Sequence, residues 1–257
     1  MDFRQNSIST LIIAHRGGGG LAPENTLASI EAGIKFNSDI IEIDIHQTKD
    51  KKLIVIHDNS IDRTTDGKGL VREMTYDQIL QYNIVSAFAE NNSNMKIPSL
   101  EQVLEFVKGK SGLMIELKYG NPYYPGIEER LVEIIRENHA EDWCSVQSFD
   151  IDILKRIHFL EKDLELYFLC YLKLPLVPVW IGKKIIIDIS HNYEFLKGIN
   201  IYRKFADLRT LKVCHHENRK MMVWTVDSKD RMAELLKLGV DGIITDYPNY
   251  LRSLLNN

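Results

Sequence analysis

No apolar run in this sequence of 257 residues is long enough to cross a membrane. A transmembrane helix needs about 20 consecutive, predominantly apolar residues. The most apolar stretch, residues 167–190, contains three lysines, two prolines and a glycine. The apolar run ahead of His15 is only a few residues long, which is too short for the core of a signal peptide. We therefore expect a protein without a stable membrane anchor.

Cysteine is scarce, and basic residues are not in excess. Cys144, Cys170 and Cys214 are odd in number, widely spaced and never in a CxxC pair. This pattern predicts reduced thiols that take no part in catalysis, and it favours a cytoplasmic protein. The net charge of −4 provides no electrostatic basis for binding nucleic acid, which requires a basic surface. Any phosphate must therefore be recognised by a small local group of residues. The sequence is also compatible with a homodimer.

Nine short, β-branched apolar runs are present, and segments with helical spacing separate most of them. Alternating strands and helices predict βαβ units on a parallel sheet. One of the nine runs belongs to a hairpin, described below, and eight barrel strands remain. Eight βαβ units at this length predict an α/β fold, a TIM (β/α)8 barrel that forms one domain over residues 1–257. The predicted strands are residues 11–14, 40–45, 53–56, 113–117, 144–147, 166–169, 185–189, 222–226 and 242–245.

The second and third of these runs are joined by seven residues, too few for a parallel crossover. The third run must therefore return antiparallel, as the second strand of a β-hairpin. A two-residue turn would place His57 opposite Asp44 or, after a slip of register, opposite Glu42. In both registers the three side chains share one face. Residues 59–98 contain no clear barrel unit, and we expect a small insertion over the barrel mouth.

Three carboxylates are expected at one end of the barrel. Functional side chains of TIM barrels lie at the C-terminal ends of the strands. Glu42 and Asp44 are two residues apart and so face one way, and Glu116 ends the next barrel strand. Such oxygen ligands suit one divalent cation, Mg²⁺ or Ca²⁺, and do not suggest zinc. The alternative is that the acids form salt bridges with bases such as Arg16 and Lys118.

Two histidines and two basic residues end strands at the same rim. His15 and His57 could flank a phosphate, one taking a proton from the nucleophile and the other donating one to the leaving oxygen. Arg16 offers a planar fork for phosphate oxygens, and Lys118 offers a point charge for the transition state. Trp224 could form a wall of the pocket against an apolar or glycerol group. The alternative for Trp224 is an ordinary core position.

Two further features lie near these residues. The Gly17–Gly20 run leads into a helix, so its amides could bind an anion, although a plain strand-to-helix turn explains it equally well. No Lys-Ser or Lys-Thr follows, which excludes a Walker loop. His46 follows Asp44 on the same face, and we expect it at the rim and not among the cation ligands.

The chain resembles the glycerophosphodiester phosphodiesterase family in blocks that occur in the family's order between residues 14 and 248. The blocks are AHRGGGGLAPENT, EIDIHQTKD, VIHDNSIDRTTDGKG, IPSLEQVL, IELK, QSFD, VWTVD and VDGIITDYP. The resemblance implies a TIM barrel that hydrolyses glycerophosphodiesters, such as glycerophosphocholine, to sn-glycerol 3-phosphate and an alcohol. It also implies one divalent cation at Glu42, Asp44 and Glu116, acid and base at His15 and His57, and phosphate contacts at Arg16 and Lys118.

The chain departs from the family at the hairpin turn, where Asp50-Lys51 replaces the usual Asp-Gly, and residues 170–200 match weakly. Two other functions remain open. A lysophospholipase D-like enzyme would need an exposed apolar surface, for which residues 172–181 are the candidate. A barrel that only binds phosphodiesters should have lost an acid or a histidine. Attack by water and attack by the substrate's own hydroxyl also both remain open.

Overall fold

A computed structural model of the chain describes residues 10–88, 94–171, 188–189 and 191–256. Eight parallel strands form a closed barrel, because the first strand pairs in parallel with both the second and the last. A further strand extends the second as an antiparallel hairpin. The strands are β1 (Leu11–Ala14), β2 (Ile40–Gln47), β3 (Leu53–Val55), β4 (Gly112–Leu117), β5 (Cys144–Ser148), β6 (Glu165–Cys170), β7 (Gly198–Tyr202), β8 (Lys220–Trp224) and β9 (Gly242–Thr245). The predicted TIM barrel is confirmed.

Helices follow most barrel strands, and several begin at a side chain that accepts a hydrogen bond from the first turn. Thr26, Ser99 and Ser228 are such caps, each binding the backbone N–H three residues on. Within the described ranges, no helix combines the length and apolar composition that a membrane crossing requires. Among the described residues, the α-helices whose two ends are defined are α1 (Leu27–Lys35), α2 (Tyr76–Ile79), α3 (Leu100–Val107), α4 (Ile127–Glu137), α5 (Ile151–Leu160), α6 (Leu208–His216), α7 (Lys229–Leu238) and α8 (Pro248–Leu255).

Alternate residues of the strands divide the molecule into an outer core and a barrel interior. Outward-facing residues of β2, such as Ile43, pack in the core that the helices cover. Each such fully buried side chain contributes about 1.5–3 kcal/mol. The centre of the barrel is closed by an apolar cluster that includes Met114 of β4 and Met222 of β8. Two residues further along these strands stand Glu116 and Trp224, so polar and aromatic groups lie above this cluster at the carboxyl ends.

The prediction of a barrel strand at residues 185–189 is wrong. Residues 188 and 189 are helical, and residues 185–187 lie outside the described part. The barrel strand of this unit is β7, which begins at Gly198. Its outward residues Ile199 and Ile201 are fully buried, whereas its inward residue, Asn200, is polar and buried in the barrel. The short apolar signal was therefore weaker than that of the isoleucine run ahead of it.

The hairpin has a register between the two that we predicted. Ile45 pairs with Val55, so the turn contains three residues, 49–51. A three-residue loop of this kind needs a left-handed residue, and Lys51 supplies it with a φ of 63°. Ile56, and not His57, lies opposite Asp44. His57 reaches the site because the chain continues beyond the end of β3, and not through strand pairing.

The strained residue of this turn gives a stability prediction. Lys51→Gly should raise the melting temperature by about 2 °C, because the left-handed conformation costs a side chain about 1–2 kcal/mol, part of which is offset by the greater freedom of glycine in the unfolded chain. Lys49→Gly in the same exposed turn is the control. Lys49 is outside the left-handed region, so the control should lower the melting temperature. Thermal unfolding followed by circular dichroism measures both; equal shifts would contradict the account.

Residues between β3 and α3 form a small apolar cluster of their own. Thr65 pairs with Ile84, and Ser60 pairs with Leu70, in isolated bridges that fold the segment over β3. Beneath them Ile54 of β3 faces the cluster. The buried members are Ile54, Ile56, Ile61, Val71, Ile79, Ile84 and Ile97. This packing fixes the chain that follows His57 against the barrel.

Candidate active site

The structure brings the three predicted carboxylates together. Glu42 and Asp44 point inward from β2, and Glu116 lies beside Asp44 in the register of β4. One oxygen from each carboxylate lies within 4.8 Å of the others, and all three side chains are buried. We call Glu42, Asp44 and Glu116 the acid cluster. Three carboxylates at this separation can share one cation of the Mg²⁺ or Ca²⁺ type.

The two predicted basic residues lie against the acid cluster. The Lys118 ammonium is 2.8 Å from Asp44 Oδ1 and 2.6 Å from Glu116 Oε1. The Arg16 Nε is 3.6 Å from Asp44 Oδ2, and its backbone N–H donates to Glu42 Oε2 over 2.9 Å. The salt bridges expected as the alternative therefore exist. They do not balance the cluster, because two basic side chains face three carboxylates.

Burial and the neighbouring charges change how readily the acids ionise. Burial and the neighbouring Asp44 carboxylate raise the pKa of Glu42 to about 7. Burial also raises the pKa of Glu116, against the opposing effect of Lys118. Burial would raise the pKa of Asp44 too, but Lys118 and Arg16 hold it well below its usual range. The cluster can therefore accept further positive charge close to Glu42.

Buried amide side chains orient the acids, and our sequence reasoning gave them no role. The Asn25 amide donates to Asp44 Oδ2 over 2.8 Å, and its oxygen accepts from the backbone N–H of Asp44. The Gln147 amide donates to Glu42 Oε1 over 2.9 Å and in turn accepts from Asn200. Of these three, only Gln147 carried a signal, because it ends a predicted barrel strand.

Each of the two predicted catalytic histidines pairs with its own carboxylate. His15 Nδ1 is 2.7 Å from Asp246 Oδ1, and His57 Nδ1 is 2.6 Å from Asp58 Oδ1. An ionised carboxylate only accepts hydrogen bonds, so Nδ1 of each ring carries the hydrogen. Both side chains are partly exposed, and both interact electrostatically with Asp44. Each ring can thus exchange a proton through Nε2 beside the acid cluster.

The surroundings move the two histidines in opposite directions. Burial lowers the pKa of His15, but the hydrogen bond to Asp246 and the Glu42 carboxylate outweigh it and raise that pKa to about 8. Burial lowers the pKa of His57, and Lys118 and Arg16 lower it further against the pull of Asp44 and Asp58. Two imidazoles with different proton affinities suit one acid and one base.

His46 is not at the rim, contrary to our expectation. Its side chain is fully buried, and burial lowers its pKa to about 4, so the ring is neutral. Its Nε2 lies 3.0 Å from the carbonyl oxygen of His57, and its Nδ1 lies 2.8 Å from the Tyr124 hydroxyl. His46 therefore supports the backbone at His57.

The glycine run is a packed turn and not a cradle of free amides. The N–H groups of Gly18 and Gly19 donate to the carbonyl of His15, and that of Gly20 donates to the carbonyl of Asp246. A Cβ on Gly17, whose φ is 83°, would lie 2.5 Å from Ser29 Oγ in α1. The glycines thus allow the turn after β1 to approach α1, and these three amides are not available to an anion.

Trp224 belongs to an aromatic wall, which we define as Phe149, Tyr171, Tyr202 and Trp224. The rings of the other three lie 5.5–5.8 Å from Trp224, and the indole N–H donates to the carbonyl of Asn200 over 2.9 Å. The four residues lie at or just after the ends of β5 to β8. Phe149 is 43% exposed and Tyr171 is 40% exposed. The wall therefore presents apolar surface at the mouth of the barrel.

Comparison with known proteins found matches that cover most of the chain. The model of the glycerophosphoryl diester phosphodiesterase family matches residues 15–250. A glycerophosphodiester phosphodiesterase of Caldanaerobacter subterraneus subsp. tengcongensis is 35% identical, covering 96% of this chain and 98% of its own. The glycerophosphodiester phosphodiesterase of Bacillus altitudinis is also 35% identical, covering 93% of this chain and 96% of its own. An Oleispira antarctica phosphodiesterase, solved with the product sn-glycerol-3-phosphate, superimposes with a TM-score of 0.85 at 24% identity, covering 98% of both chains. The chain belongs to the glycerophosphoryl diester phosphodiesterase family.

Proposed function

We propose that this enzyme hydrolyses small glycerophosphodiesters, such as glycerophosphocholine and glycerophosphoethanolamine, to sn-glycerol 3-phosphate and an alcohol. The observation that carries the proposal is the acid cluster, buried at one end of the barrel beside two carboxylate-paired histidines. The relatives named above support the substrate class.

We further propose that residues 1–257 form one domain, with residues 59–98 as an insertion. We also propose that the protein is cytoplasmic, which its three buried free thiols support.

The residues present fit one divalent cation, Mg²⁺ or Ca²⁺. The acid cluster offers hard oxygen ligands, keeps negative charge in excess of its two basic neighbours, and already holds the Lys118 ammonium between two carboxylates. Glu42, Asp44 and Glu116 would hold the ion. When bound, a cation of this kind polarises a phosphate oxygen and stabilises the charge that develops there.

The side chains around the cluster divide the remaining work. Arg16 and Lys118 bind phosphate oxygens and neutralise charge in the transition state. One histidine takes a proton from the attacking oxygen as the new P–O bond forms, and the other donates a proton to the alcohol oxygen as its bond to phosphorus breaks. The attacking oxygen belongs either to water, which gives sn-glycerol 3-phosphate directly, or to the substrate's own glycerol hydroxyl, in which case water then opens the cyclic phosphate to the same product. Asp246 and Asp58 keep His15 and His57 in the tautomer that presents Nε2. Trp224 packs against the glycerol group.

Identification of the products tests this proposal. The purified enzyme is incubated with glycerophosphocholine and then with glycerophosphoethanolamine, in the presence of Mg²⁺ or Ca²⁺. We expect sn-glycerol 3-phosphate and the free alcohol in equal amounts, quantified by an enzyme-coupled assay and by phosphorus NMR. Release of glycerol and phosphocholine, or no turnover of any glycerophosphodiester, would refute it.

The Asn25 amide gives a prediction about cation affinity. Asn25→Gly should weaken Mg²⁺ or Ca²⁺ binding about 10–100-fold, because the Asp44 carboxylate loses the partner that orients it. Glycine suits the left-handed backbone at this position, where φ is 57°. Asn218→Gly, which makes the same substitution at a φ of 54°, is the control and should bind normally. Isothermal titration calorimetry measures the cation affinity of both proteins. Equal affinities would show that Asn25 does not orient Asp44 for cation binding.

A lysophospholipase D-like activity is the second candidate, and the aromatic wall favours it. Its exposed rings could accept an acyl chain next to a phosphate in the polar site. Residues 172–181, the surface expected from the sequence, lie outside the described part of the chain. Turnover of lysophosphatidylcholine and glycerophosphocholine by the same preparation separates the two candidates. A higher kcat/KM for the lysophospholipid would replace the first proposal with the second.

A further inference from the structure

The side chain of Arg63 connects two carboxylates at the edge of the site. Its Nε donates to Asp58 Oδ2 over 2.6 Å. Its Nη1 and Nη2 donate to the two oxygens of Glu24 over 2.9 Å and 2.8 Å, which is the parallel, two-bond geometry that arginine forms with carboxylates. Arg63 lies in the DRTT segment of the insertion, to which the reaction described above assigns no role.

Both carboxylates lead directly to groups that act on the substrate. Glu24 Oε1 also accepts from Arg16 Nη1 over 2.9 Å, so Glu24 holds the guanidinium that binds phosphate. Asp58 Oδ1 lies 2.6 Å from His57 Nδ1, so Asp58 sets the orientation and tautomer of that imidazole. A single guanidinium therefore links the phosphate-binding arginine after β1 to the histidine after β3.

The backbone that carries Arg63 is well fixed. Ile61 is fully buried in the apolar cluster of the insertion. Both the backbone N–H and the hydroxyl of Thr65 donate to the carbonyl of Ile61, closing a turn around Arg63. A side chain on such a support can hold its partners in one geometry.

We propose that Arg63 is a positioning residue of the active site, which aligns His57 through Asp58 and Arg16 through Glu24. The inference rests on the proposed phosphodiester hydrolysis, because it assigns Arg63 a part in that reaction. It also gives the insertion a role, since a residue outside the barrel strands then fixes the position of His57 relative to Arg16, the two side chains that act on the substrate.

The charge distribution is consistent with this role. Burial raises the pKa of Asp58, but Arg63 and His57 outweigh it and bring that pKa to about 2, so Asp58 accepts hydrogen bonds from both sides. The Arg63 side chain is 46% exposed. Ion pairs with this exposure contribute little to folding. Loss of Arg63 should therefore affect the reaction more than the stability of the fold.

The first experiment compares Arg63→Ala and Arg63→Lys with Arg156→Ala. Arg156 is the matched control, because it also donates twice to a carboxylate, that of Glu129, and has the same exposure on the outer helices. We expect Arg63→Ala to lower kcat/KM for glycerophosphocholine about 10–100-fold, as small misplacements of catalytic groups do. Arg63→Lys should recover part of the loss, because an ammonium keeps the charge without the fork. Arg156→Ala should behave as the wild type.

A second experiment separates positioning from general support of the fold. Asp58→Ala should act mainly on kcat and Glu24→Ala mainly on KM, whereas Arg63→Ala should change both. In a protein that already carries both Asp58→Ala and Glu24→Ala, adding Arg63→Ala should lower kcat/KM by at most about twofold more, since the two partners of Arg63 are already gone. Methylguanidinium should restore activity to Arg63→Ala and not to Arg63→Lys.

The outcomes that overturn the inference are distinct from those that overturn the proposed function. Absence of wild-type turnover on all glycerophosphodiesters refutes both. Wild-type turnover with an unchanged Arg63→Ala refutes the positioning role alone, as do additive losses in the triple variant. A melting temperature that falls further in Arg63→Ala than in Arg156→Ala, with kcat and KM unchanged, would show that Arg63 serves only the fold.

Discussion

His57→Ala and His15→Ala should each lower kcat by about 10²–10⁴-fold while leaving the fold intact. Each imidazole is held through Nδ1 by a carboxylate, so its Nε2 can exchange a proton with the substrate. Both rings are partly exposed at the rim, and neither is a member of the buried core. Removing them should therefore take away proton transfer without opening a large cavity.

His216→Ala is the matched control for these variants, because His216 lies exposed on the outer surface of α6. It should have the wild-type kcat. Steady-state kinetics on glycerophosphocholine, with circular dichroism of every variant, provides the measurement. Wild-type rates in a folded His15→Ala or His57→Ala protein would exclude the two-histidine reaction.

Removing divalent cations should abolish turnover, and restoring Mg²⁺ or Ca²⁺ should recover it. The loss should reach about 10³-fold or more, because a cation at the phosphate contributes several kcal/mol to the stability of the transition state. Asp44→Asn should cause a loss of similar size that added cation does not repair, since the buried Asp44 carboxylate is contacted by the side chains of both Lys118 and Arg16.

The control for Asp44→Asn is Asp152→Asn, which removes one negative charge from an exposed position on α5. It should leave both the rate and the cation requirement unchanged. Full activity in the presence of excess chelator, after dialysis against it, would contradict a role for the acid cluster in the reaction. The same assay across a concentration series of each cation shows whether Mg²⁺ or Ca²⁺ supports the higher rate.

The alternation of strands and helices was enough to predict the barrel, and strand parity with the position of strand ends was enough to predict the acid cluster. Glu42 and Asp44 face the same way on any strand, and Glu116 ends the neighbouring one, so no exact register was needed to group them. Lys118 follows Glu116 by two residues and shares its face. Local sequence patterns are therefore enough to group these side chains at one rim.

Features that depend on small energy differences or distant partners were not predicted. The hairpin register depends on whether Lys51 adopts a left-handed conformation, a cost of only about 1–2 kcal/mol. The inward face of β7 carries Asn200, which suits a hydrogen bond to Gln147 inside the barrel but weakens the apolar pattern of the strand. Neither partner is visible to the other in the sequence.

His46 and Asn25 illustrate the same limit within the site. A histidine two residues past Asp44 gives no sign that a tyrosine 78 residues away will bury it. The hydrogen bonds of Asn25 to Asp44 depend on the path of the chain after β1, which turns back toward β2. Such supporting residues became identifiable only when the fold placed their partners.

The most direct test of the account is the position of a bound cation. Crystals of the enzyme grown with Mn²⁺, measured at the manganese absorption edge, would show the ion by its anomalous scattering. We expect one strong peak inside the barrel mouth, with oxygens of Glu42, Asp44 and Glu116 about 2.0–2.6 Å away. A peak bound by other residues, or an active crystal with no peak between these three carboxylates, would contradict it.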